Sequence, residues 1–189
     1  LIGAYRFQGA RHADVDPLRR QEKPHIPELD PAYYGLTDAD QHTVFSTGSL
    51  VGPREMKLAD LLQFLKETYC GSIGYEFMYM SDIPQKRWFQ ERVEGIRSKP
   101  KYDAAYKRHI LERLTAAETL ERYLHTRYVG QTRFSLEGGE SVIPLTDAIV
   151  SSAAESGLDE VCIGMPHRGR LNMLANIAGK SVGQIFQEF

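Results

Sequence analysis

The stretch EVCIGMPHRGRLN, residues 160–172, decides the fold class of this chain. Its first half is continuously apolar, which predicts a buried parallel strand over residues 161–165. A loop with Pro166 and Gly169 follows, and the apolar spacing after it predicts a helix. Strand, loop and helix in this order are typical of a doubly wound α/β domain. The chain is therefore expected to contain the opening units of such a domain.

Three side chains of this loop are candidates for a binding site. His167, Arg168 and Arg170 follow the carboxyl end of the predicted strand, where ligands bind in open parallel sheets. Guanidinium groups offer forked donors to a carboxylate or a diphosphate, and an imidazole can donate to an oxyanion or transfer a proton. The alternative is that both arginines are solvated residues at a helix start and that His167 is a satisfied loop histidine. Arginine in a first helical turn opposes the helix dipole unless an anion is bound, which favours the site.

A glycine-containing stretch precedes the predicted strand, RFSLEGGES over residues 133–141. The apolar pattern after it predicts a helix that ends at Gly157. The inward face of this helix is expected to carry Val142, Leu145, Ile149 and Ala153. The acidic and glycine residues favour a turn before the helix, and the alternative is that they hold the loop against the site: Glu137, Gly138, Gly139 and Glu140.

Residues 1–129 are expected to form a mainly helical N-terminal region. Ile2, Tyr5 and Gly9 share one face of a first helix. Residues 19–53 are rich in Pro, Asp, Tyr and Gly, and they predict an ordered but irregular connector. An amphipathic helix follows, with apolar residues at helical spacing: Leu58, Leu61, Leu62 and Leu65.

Further helices complete this region. Ser81 or Asp82 is expected to cap a helix whose buried stripe consists of Trp88, Phe89, Val93 and Ile96. Another helix is expected over residues 103–113. The stretch TAAE, residues 115–118, has the pattern of a capping box and predicts the start of a separate helix.

The composition excludes several classes of protein. Lys and Arg total 23 against 25 Asp and Glu, so the formal net charge of -2 offers no overall field for nucleic acid or an anionic membrane. No apolar run reaches the roughly eighteen residues that a membrane span requires. Cys70 and Cys162 lie in separate apolar stretches and are expected to be buried, reduced thiols. These features predict a cytosolic or matrix-type compartment, without a nucleic-acid or membrane partner.

The motif GMPHRGRLN, residues 164–172, resembles that of the thiamine-diphosphate-dependent first component of 2-oxoglutarate dehydrogenase. The resemblance covers essentially the whole chain. It implies a mostly helical region over residues 1–129, followed by the start of an α/β, doubly wound thiamine-diphosphate-binding domain over residues 130–189. The surrounding stretches agree in order and spacing: AYRFQGARHADVDPL, KLADLLQFLKETYCG, IGYEFMYM, QKRWFQERVE, LTAAETLERYL and RFSLEGGES.

The resemblance also implies roles for three residues. His167 is implied to be a catalytic residue of the active site, and Arg168 is implied to approach the cofactor and the substrate. Phe134 is implied to line the pocket for the 2-oxo acid, and relatives that accept the longer 2-oxoadipate tend to carry a different aromatic there. The alternative for Phe134 is a core aromatic residue.

The reaction implied by the family is oxidative decarboxylation of 2-oxoglutarate and succinylation of a lipoyl group, a step of the tricarboxylic acid cycle. The implied cofactors are thiamine diphosphate and Mg²⁺. The implied partners are the dihydrolipoyl succinyltransferase with its lipoyl domain and a second copy of the enzyme. The implied compartment is the bacterial cytoplasm, or the mitochondrial matrix in a eukaryote.

The chain departs from the family by what its sequence omits. It contains no GDG followed by asparagine, the pattern that holds magnesium and diphosphate in these enzymes, and no metal site is expected within it. A second active-site histidine and the pyrimidine-binding domain are also missing. The chain begins in helical register without Met and stops within an apolar helical pattern. It is therefore expected to be cut at both ends and to be inactive alone.

Other functions remain open at this point. One alternative is that the helices form a docking or regulatory module that binds the acyltransferase core or an effector nucleotide. In that case Arg6, Arg11, Arg19 and Arg20 would face an acidic partner. Another 2-oxo acid, such as 2-oxoadipate, is an alternative substrate. A nucleotide-binding domain of Rossmann type is excluded because PHRGR, not GxGxxG, follows the predicted strand. Six histidines are scattered without metal-ligand spacing, which argues against a structural metal.

Overall fold

The computed structural model of the chain describes residues 1–187 and divides into two compact units, Leu1–Lys101 and Tyr102–Phe189. Its described part is mostly helical, with one two-stranded sheet. The expected helical continuation over residues 188–189 lies outside the described residues. These units are defined by packing, and the domain boundary expected at residue 129 stays a prediction.

The first unit contains three helices and the small sheet. Its chain order is α1 (Ile2–His12), three short 3-10 turns (Pro27–Leu29, Pro31–Tyr34 and Asp38–His42), β1 (Val44–Ser46), β2 (Glu55–Lys57), α2 (Leu58–Tyr69) and α3 (Ile83–Ile96). β1 and β2 are antiparallel, with Phe45 opposite Met56. The 3-10 turns and β1 lie within residues 19–53, for which the sequence predicts an irregular connector.

The contact between α1 and α2 depends on Gly9. A Cβ atom at this position would lie 2.6 Å from the Cβ of Tyr69, closer than side chains tolerate. Tyr5, on the same face of α1, is buried together with Leu61 and Leu65 of α2. The predicted faces of both helices are therefore confirmed, with Leu62 only partly buried.

Helix α3 begins as predicted but buries a different face. The side chain of Asp82 caps it by accepting a hydrogen bond from the amide of Gln85 at 2.8 Å. Val93 and Glu94 are its buried residues, whereas three members of the predicted stripe are exposed: Trp88, Phe89 and Ile96. The predicted stripe was wrong at these three positions because a paired glutamate, not an aromatic residue, enters the core.

Glu94 is 1% exposed and accepts four hydrogen bonds from three groups. The guanidinium of Arg6 donates to both carboxylate oxygens, at 2.7 and 3.1 Å. The Tyr69 hydroxyl donates at 2.6 Å and the Val51 amide at 2.8 Å. Burial and the neighbouring Glu94 carboxylate raise the pKa of Tyr69. A buried charge is stable here because its partners surround it.

The second unit is built on one long helix. Its elements are α4 (Ala104–Arg127), α5 (Val142–Glu155), α6 (Arg170–Asn176) and α7 (Val182–Phe186). The predicted break at residues 115–118 was wrong, because α4 runs through them. The Thr115 hydroxyl donates to the Leu111 carbonyl at 2.7 Å, so it bonds within the helix instead of capping a new one.

Helix α5 also turns a different face to the core than predicted. Ile143 is fully buried with Ala117 of α4 and Leu136, whereas Leu145 and Ile149 are more than half exposed. The predicted inward face was therefore wrong at Leu145 and Ile149. The predicted end of this helix is confirmed, because Gly157 follows it with a φ of 81°.

Residues 161–165 do not form the predicted strand. They have no regular secondary structure, and Val161, Ile163 and Met165 are 47%, 39% and 38% exposed. A parallel strand requires a neighbour for its backbone hydrogen bonds, and residues 102–187 contain no strand that could pair with it. Cys162 is exposed for the same reason, which corrects the expectation that both cysteines are buried.

None of the helices between residues 1 and 187 combines the length and apolarity that crossing a bilayer requires.

Candidate functional site

Two loops of the second unit lie side by side and bring Phe134 and His167 together. The Gly169 amide donates to the Phe134 carbonyl at 2.9 Å. The rings of Phe134 and His167 have centroids 5.4 Å apart, with planes inclined by 38°. The structure therefore places in contact two residues that the sequence analysis had selected from separate motifs.

Gly169 makes this close approach possible. Its φ is +76°, in the left-handed region that side chains disfavour, and a Cβ atom there would lie 2.5 Å from Cδ1 of Leu136. Leu136 is buried in the core of the second unit. The loop that carries His167 is thus fixed against the core at the one residue that lacks a side chain.

Glu121 of α4 anchors the loop that carries Phe134. This glutamate is 2% exposed, and its Oε2 accepts hydrogen bonds from the Arg133 guanidinium and from the Ser135 hydroxyl, the latter at 3.0 Å. Arg133 also donates to the Glu121 backbone carbonyl at 3.2 Å. The residues on both sides of Phe134 are therefore held by one buried carboxylate.

Asn172 connects the second loop to the same carboxylate. It is fully buried, and its amide donates to Oε1 of Glu121 at 3.1 Å and to the Ala117 carbonyl at 2.9 Å. Its Oδ1 accepts a hydrogen bond from Asn176 at 2.7 Å. The last residue of GMPHRGRLN is thus the one that attaches α6 to α4.

Sequence reasoning singled out neither Glu121 nor its partners. A signal was present, because Glu121 occupies the same helical stripe as three buried apolar residues of α4: Ala117, Leu120 and Leu124. A charged residue within an apolar stripe predicts a buried pair. Arg133, next to the candidate Phe134, was the available partner of opposite charge.

The candidate side chains themselves face solvent. Phe134 is 59% exposed, so it is not the core aromatic of the alternative interpretation. His167, Arg168 and Arg170 are exposed as well. Within residues 1–187, the side chains of these three residues form no hydrogen bond or ion pair, and the His167 ring contacts Phe134. A fixed backbone therefore presents an imidazole and two guanidinium groups that are free to bind an anion.

The glycine turn has the local role that the sequence favoured. The Gly139 amide donates to the Leu136 carbonyl at 2.8 Å, and Oε1 of Glu140 accepts the Gly138 amide at 3.0 Å. Glu137 is exposed, and its carboxylate lies 3.9 Å from the Arg133 guanidinium. These residues form the turn that leads into α5.

The donor set of this site suits an anion and not a metal ion. Arginine and protonated histidine donate hydrogen bonds to carboxylates and phosphates. Across residues 1–187, His, Cys, Asp and Glu form no group of three or more that could hold a metal ion.

Comparison with known proteins places the whole chain beside part of longer enzymes. It is 56% identical over its full length to a 2-oxoglutarate dehydrogenase E1 component of Cupriavidus necator, and 47% identical to the 2-oxoglutarate dehydrogenase E1 component of Azotobacter vinelandii. In both cases the chain spans about 20% of the relative's length. No protein-family model matches the chain.

Proposed function

We propose that this chain forms one side of the active site of the 2-oxoglutarate dehydrogenase E1 component. Its whole length is homologous to part of that enzyme. The parent reaction is oxidative decarboxylation of 2-oxoglutarate with transfer of the succinyl group to a lipoyl group. The observation that carries the proposal is the exposed cluster of Phe134, His167 and Arg168 on a backbone fixed by Glu121.

Arg168 is the proposed ligand of a substrate carboxylate or of the cofactor diphosphate. Its guanidinium is exposed and has no partner in the described chain, so no internal ion pair has to break before an anion binds. Arg170 adds a second positive charge nearby in sequence. Two arginines would neutralise the negative charge that a 2-oxo dicarboxylic acid brings into the site.

His167 is the proposed proton donor of the site. An imidazole near neutral pH can donate a hydrogen bond to the keto oxygen of the substrate and return to its neutral form. The Phe134 ring lies beside the imidazole, with the ring centroids 5.4 Å apart. This contact would limit the orientations of the imidazole and reduce its access to water.

Phe134 is the proposed determinant of substrate length. Its ring borders His167, so a bulkier or polar aromatic residue there would change the space next to the reacting group. Phenylalanine at this position and the names of both relatives favour 2-oxoglutarate over the alternative 2-oxoadipate.

Thiamine diphosphate, when bound, would supply the electron sink for loss of carbon dioxide. The described residues fit the anionic groups of cofactor and substrate, whereas magnesium requires oxygen ligands from elsewhere in the enzyme. We also propose a doubly wound domain in which residues 161–165 pair with further strands, because this would cover their exposed apolar side chains.

The proposed setting is that of the family. Dihydrolipoyl succinyltransferase would accept the succinyl group on its lipoyl domain, and the E1 component would act as a homodimer in the tricarboxylic acid cycle. A reducing compartment, bacterial cytoplasm or mitochondrial matrix, is consistent with the two free cysteines, Cys70 and Cys162.

A docking or regulatory module is the second candidate function, and one of its proposed residues fits it poorly. Arg6 is 7% exposed and is paired with Glu94, so it cannot face an acidic partner. Arg11, Arg19 and Arg20 are exposed and leave the hypothesis testable. Calorimetric titration of the chain with the acyltransferase would detect this function directly.

The decisive experiment compares variants of the complete enzyme that contains this chain. His167→Gln is expected to lower kcat for 2-oxoglutarate by about 10²–10⁴-fold, as for loss of a general acid. Arg168→Gln is expected to raise KM more than it lowers kcat, because it removes a binding charge. Arg108→Gln, an exposed arginine on α4, is the matched control. Wild-type activity of the His167 variant would refute the proposed role.

The isolated chain provides a complementary test. With 2-oxoglutarate, thiamine diphosphate, magnesium and an artificial electron acceptor it is expected to show no turnover, because its sequence lacks the metal-binding motif. Robust turnover would show that these 189 residues form a complete site.

A further inference from the structure

The first unit contains a cavity that shares no residue with the proposed active site. Its volume is about 540 Å³, and it is formed by the last turns of α1 and α2 together with the connector. Tyr5, Ile26 and Leu29 form a buried apolar floor. The Tyr5 hydroxyl donates to the Leu29 carbonyl at 3.2 Å, so the polar atom of the floor is already engaged.

Basic side chains line this cavity. They are His12, Lys23, His25 and Lys66, and the one carboxylate that lines the cavity with them is Asp30. Oδ1 of Asp30 accepts the Ala32 amide at 2.9 Å, where it caps a 3-10 turn. Asp30 therefore supplies one negative charge to the cavity, against the two lysines.

These basic groups have little other compensation. Lys23 lies 3.5 Å from the Asp14 carboxylate, and the two side chains are 43% and 58% exposed, so their pairing is weak. In the part of the chain that the structure describes, the side chains of His12, His25 and Lys66 form no hydrogen bond or ion pair. The like charges of Lys23 and Lys66 would be compensated by an anion bound in the cavity.

Helix dipoles account for only part of this arrangement. His12 and Lys66 lie in the last turns of α1 and α2, where a positive charge is favourable. Lys23 and His25 lie on the connector, outside any helix, and the dipole gives no reason for their position. Both sets converge on the same opening, which an anion would explain.

Cys70 provides a reporter inside the cavity. Its thiol is half-buried, and burial raises its pKa, while Lys23 and Lys66 act in the opposite direction. The charges of both lysines therefore act on the thiol. An anion bound between them would shield the sulfur and weaken the thiolate.

We propose that the cavity lined by His12, Lys23, His25 and Lys66 binds a small anion with at least two negative charges, carried by phosphate or carboxylate groups. More than one acidic group suits the site because the ligand would meet two lysines together with two imidazoles that can donate hydrogen bonds. The site is independent of the proposed catalytic function, because it lies wholly within the first unit.

The test measures alkylation of Cys70 by neutral iodoacetamide in the full chain, with Cys162→Ser to remove the other thiol. Inorganic pyrophosphate or citrate is added at constant ionic strength. The rate is expected to fall saturably, by at least about threefold, with one of these anions. Protection by pyrophosphate alone identifies a phosphate ligand, and protection by citrate alone a carboxylate ligand. No saturable protection by either anion would overturn the proposal.

Variants distinguish specific binding of an anion in the cavity from non-specific screening of its charges. The double variant Lys23→Gln and Lys66→Gln is expected to lose protection, and His25→Gln alone to weaken it. Lys101→Gln, exposed and outside the cavity, should retain it. Thermal unfolding is followed in parallel, and the anion should raise the Tm of the parent chain but not of the double variant. Equal protection in the double variant and its parent would overturn the proposal.

Discussion

Among the described residues, each unit contains one buried glutamate paired with an arginine, and the two pairs have different partners. Glu94 in the first unit contacts Arg6 and Tyr69, which are themselves buried. Glu121 in the second unit contacts Arg133, which precedes Phe134, and Asn172, which ends the motif that carries His167 and Arg168. The same interaction closes a core in one unit and holds the loops of the candidate residues in the other.

A buried polar network can fix the backbone of exposed candidate residues without contacting their side chains. Loops that carry exposed cationic groups cannot be fixed by apolar packing of those groups themselves. In the second unit two of the fixing residues, Arg133 and Ser135, flank Phe134, and the third, Asn172, lies in the same motif as His167 and Arg168. Their removal should therefore affect loop order before it affects the fold.

The largest expected effect is loss of Glu94. Glu94→Ala leaves Arg6 buried without its counter-ion, and the free energy of unfolding should fall by about 3–5 kcal/mol. Urea denaturation of the chain measures this. Glu91→Ala, at an exposed position on α3, is the control and should be near neutral. A loss below about 1 kcal/mol would mean that Arg6 finds another partner or reaches solvent.

Glu121→Gln should lower the free energy of unfolding less than Glu94→Ala does, and it should increase local opening of the loop at Gly169. The amide keeps some hydrogen bonds but loses the charge, so the expected cost is about 1.5–3 kcal/mol. Hydrogen exchange should become faster at the Gly169 amide, whose acceptor is the Phe134 carbonyl, and not at the Val51 amide of the first unit. Glu118→Gln on the exposed side of α4 is the matched control. Uniformly faster exchange would contradict the separation of the two networks.

Gly169→Ala should cost roughly 1–2 kcal/mol, because alanine disfavours the left-handed conformation. Part of the response should be movement of Leu136, whose Cδ1 lies at the end of a flexible side chain. The predicted signature is loss of the contact between Phe134 and His167, observed as changed chemical shifts of both rings. Unchanged ring shifts would show that the loop adapts without moving the candidate residues.

Arg168→Gln should have the smallest effect on stability, within about 0.5 kcal/mol, because the exposed guanidinium has no internal partner. Thermal unfolding of the chain measures it, with Arg170→Gln in parallel. Strong destabilisation would place Arg168 in the structural network with Glu121 and weaken its proposed role in binding.

The sequence by itself determined the features that depend on neighbouring residues. The amphipathic spacing of α2 and the cap at Asp82 were predictable from the sequence because their contacts lie within a few positions. The candidates Phe134, His167 and Arg168 were found through motifs, and the structure adds the ring contact between the first two. Their roles remain predictions.

Tertiary structure decided what the helices bury and where strands form. Phe89 and Leu145 looked like core residues by period, but the faces of α3 and α5 were set by Glu94 and Ile143, whose partners are distant in sequence. Residues 161–165 have the composition of a strand, yet a strand exists only when another supplies its hydrogen bonds. Periodicity specifies a local conformation. Burial of a helix face and pairing of a strand depend on the segment that packs or pairs with it, and only the folded chain identifies that segment.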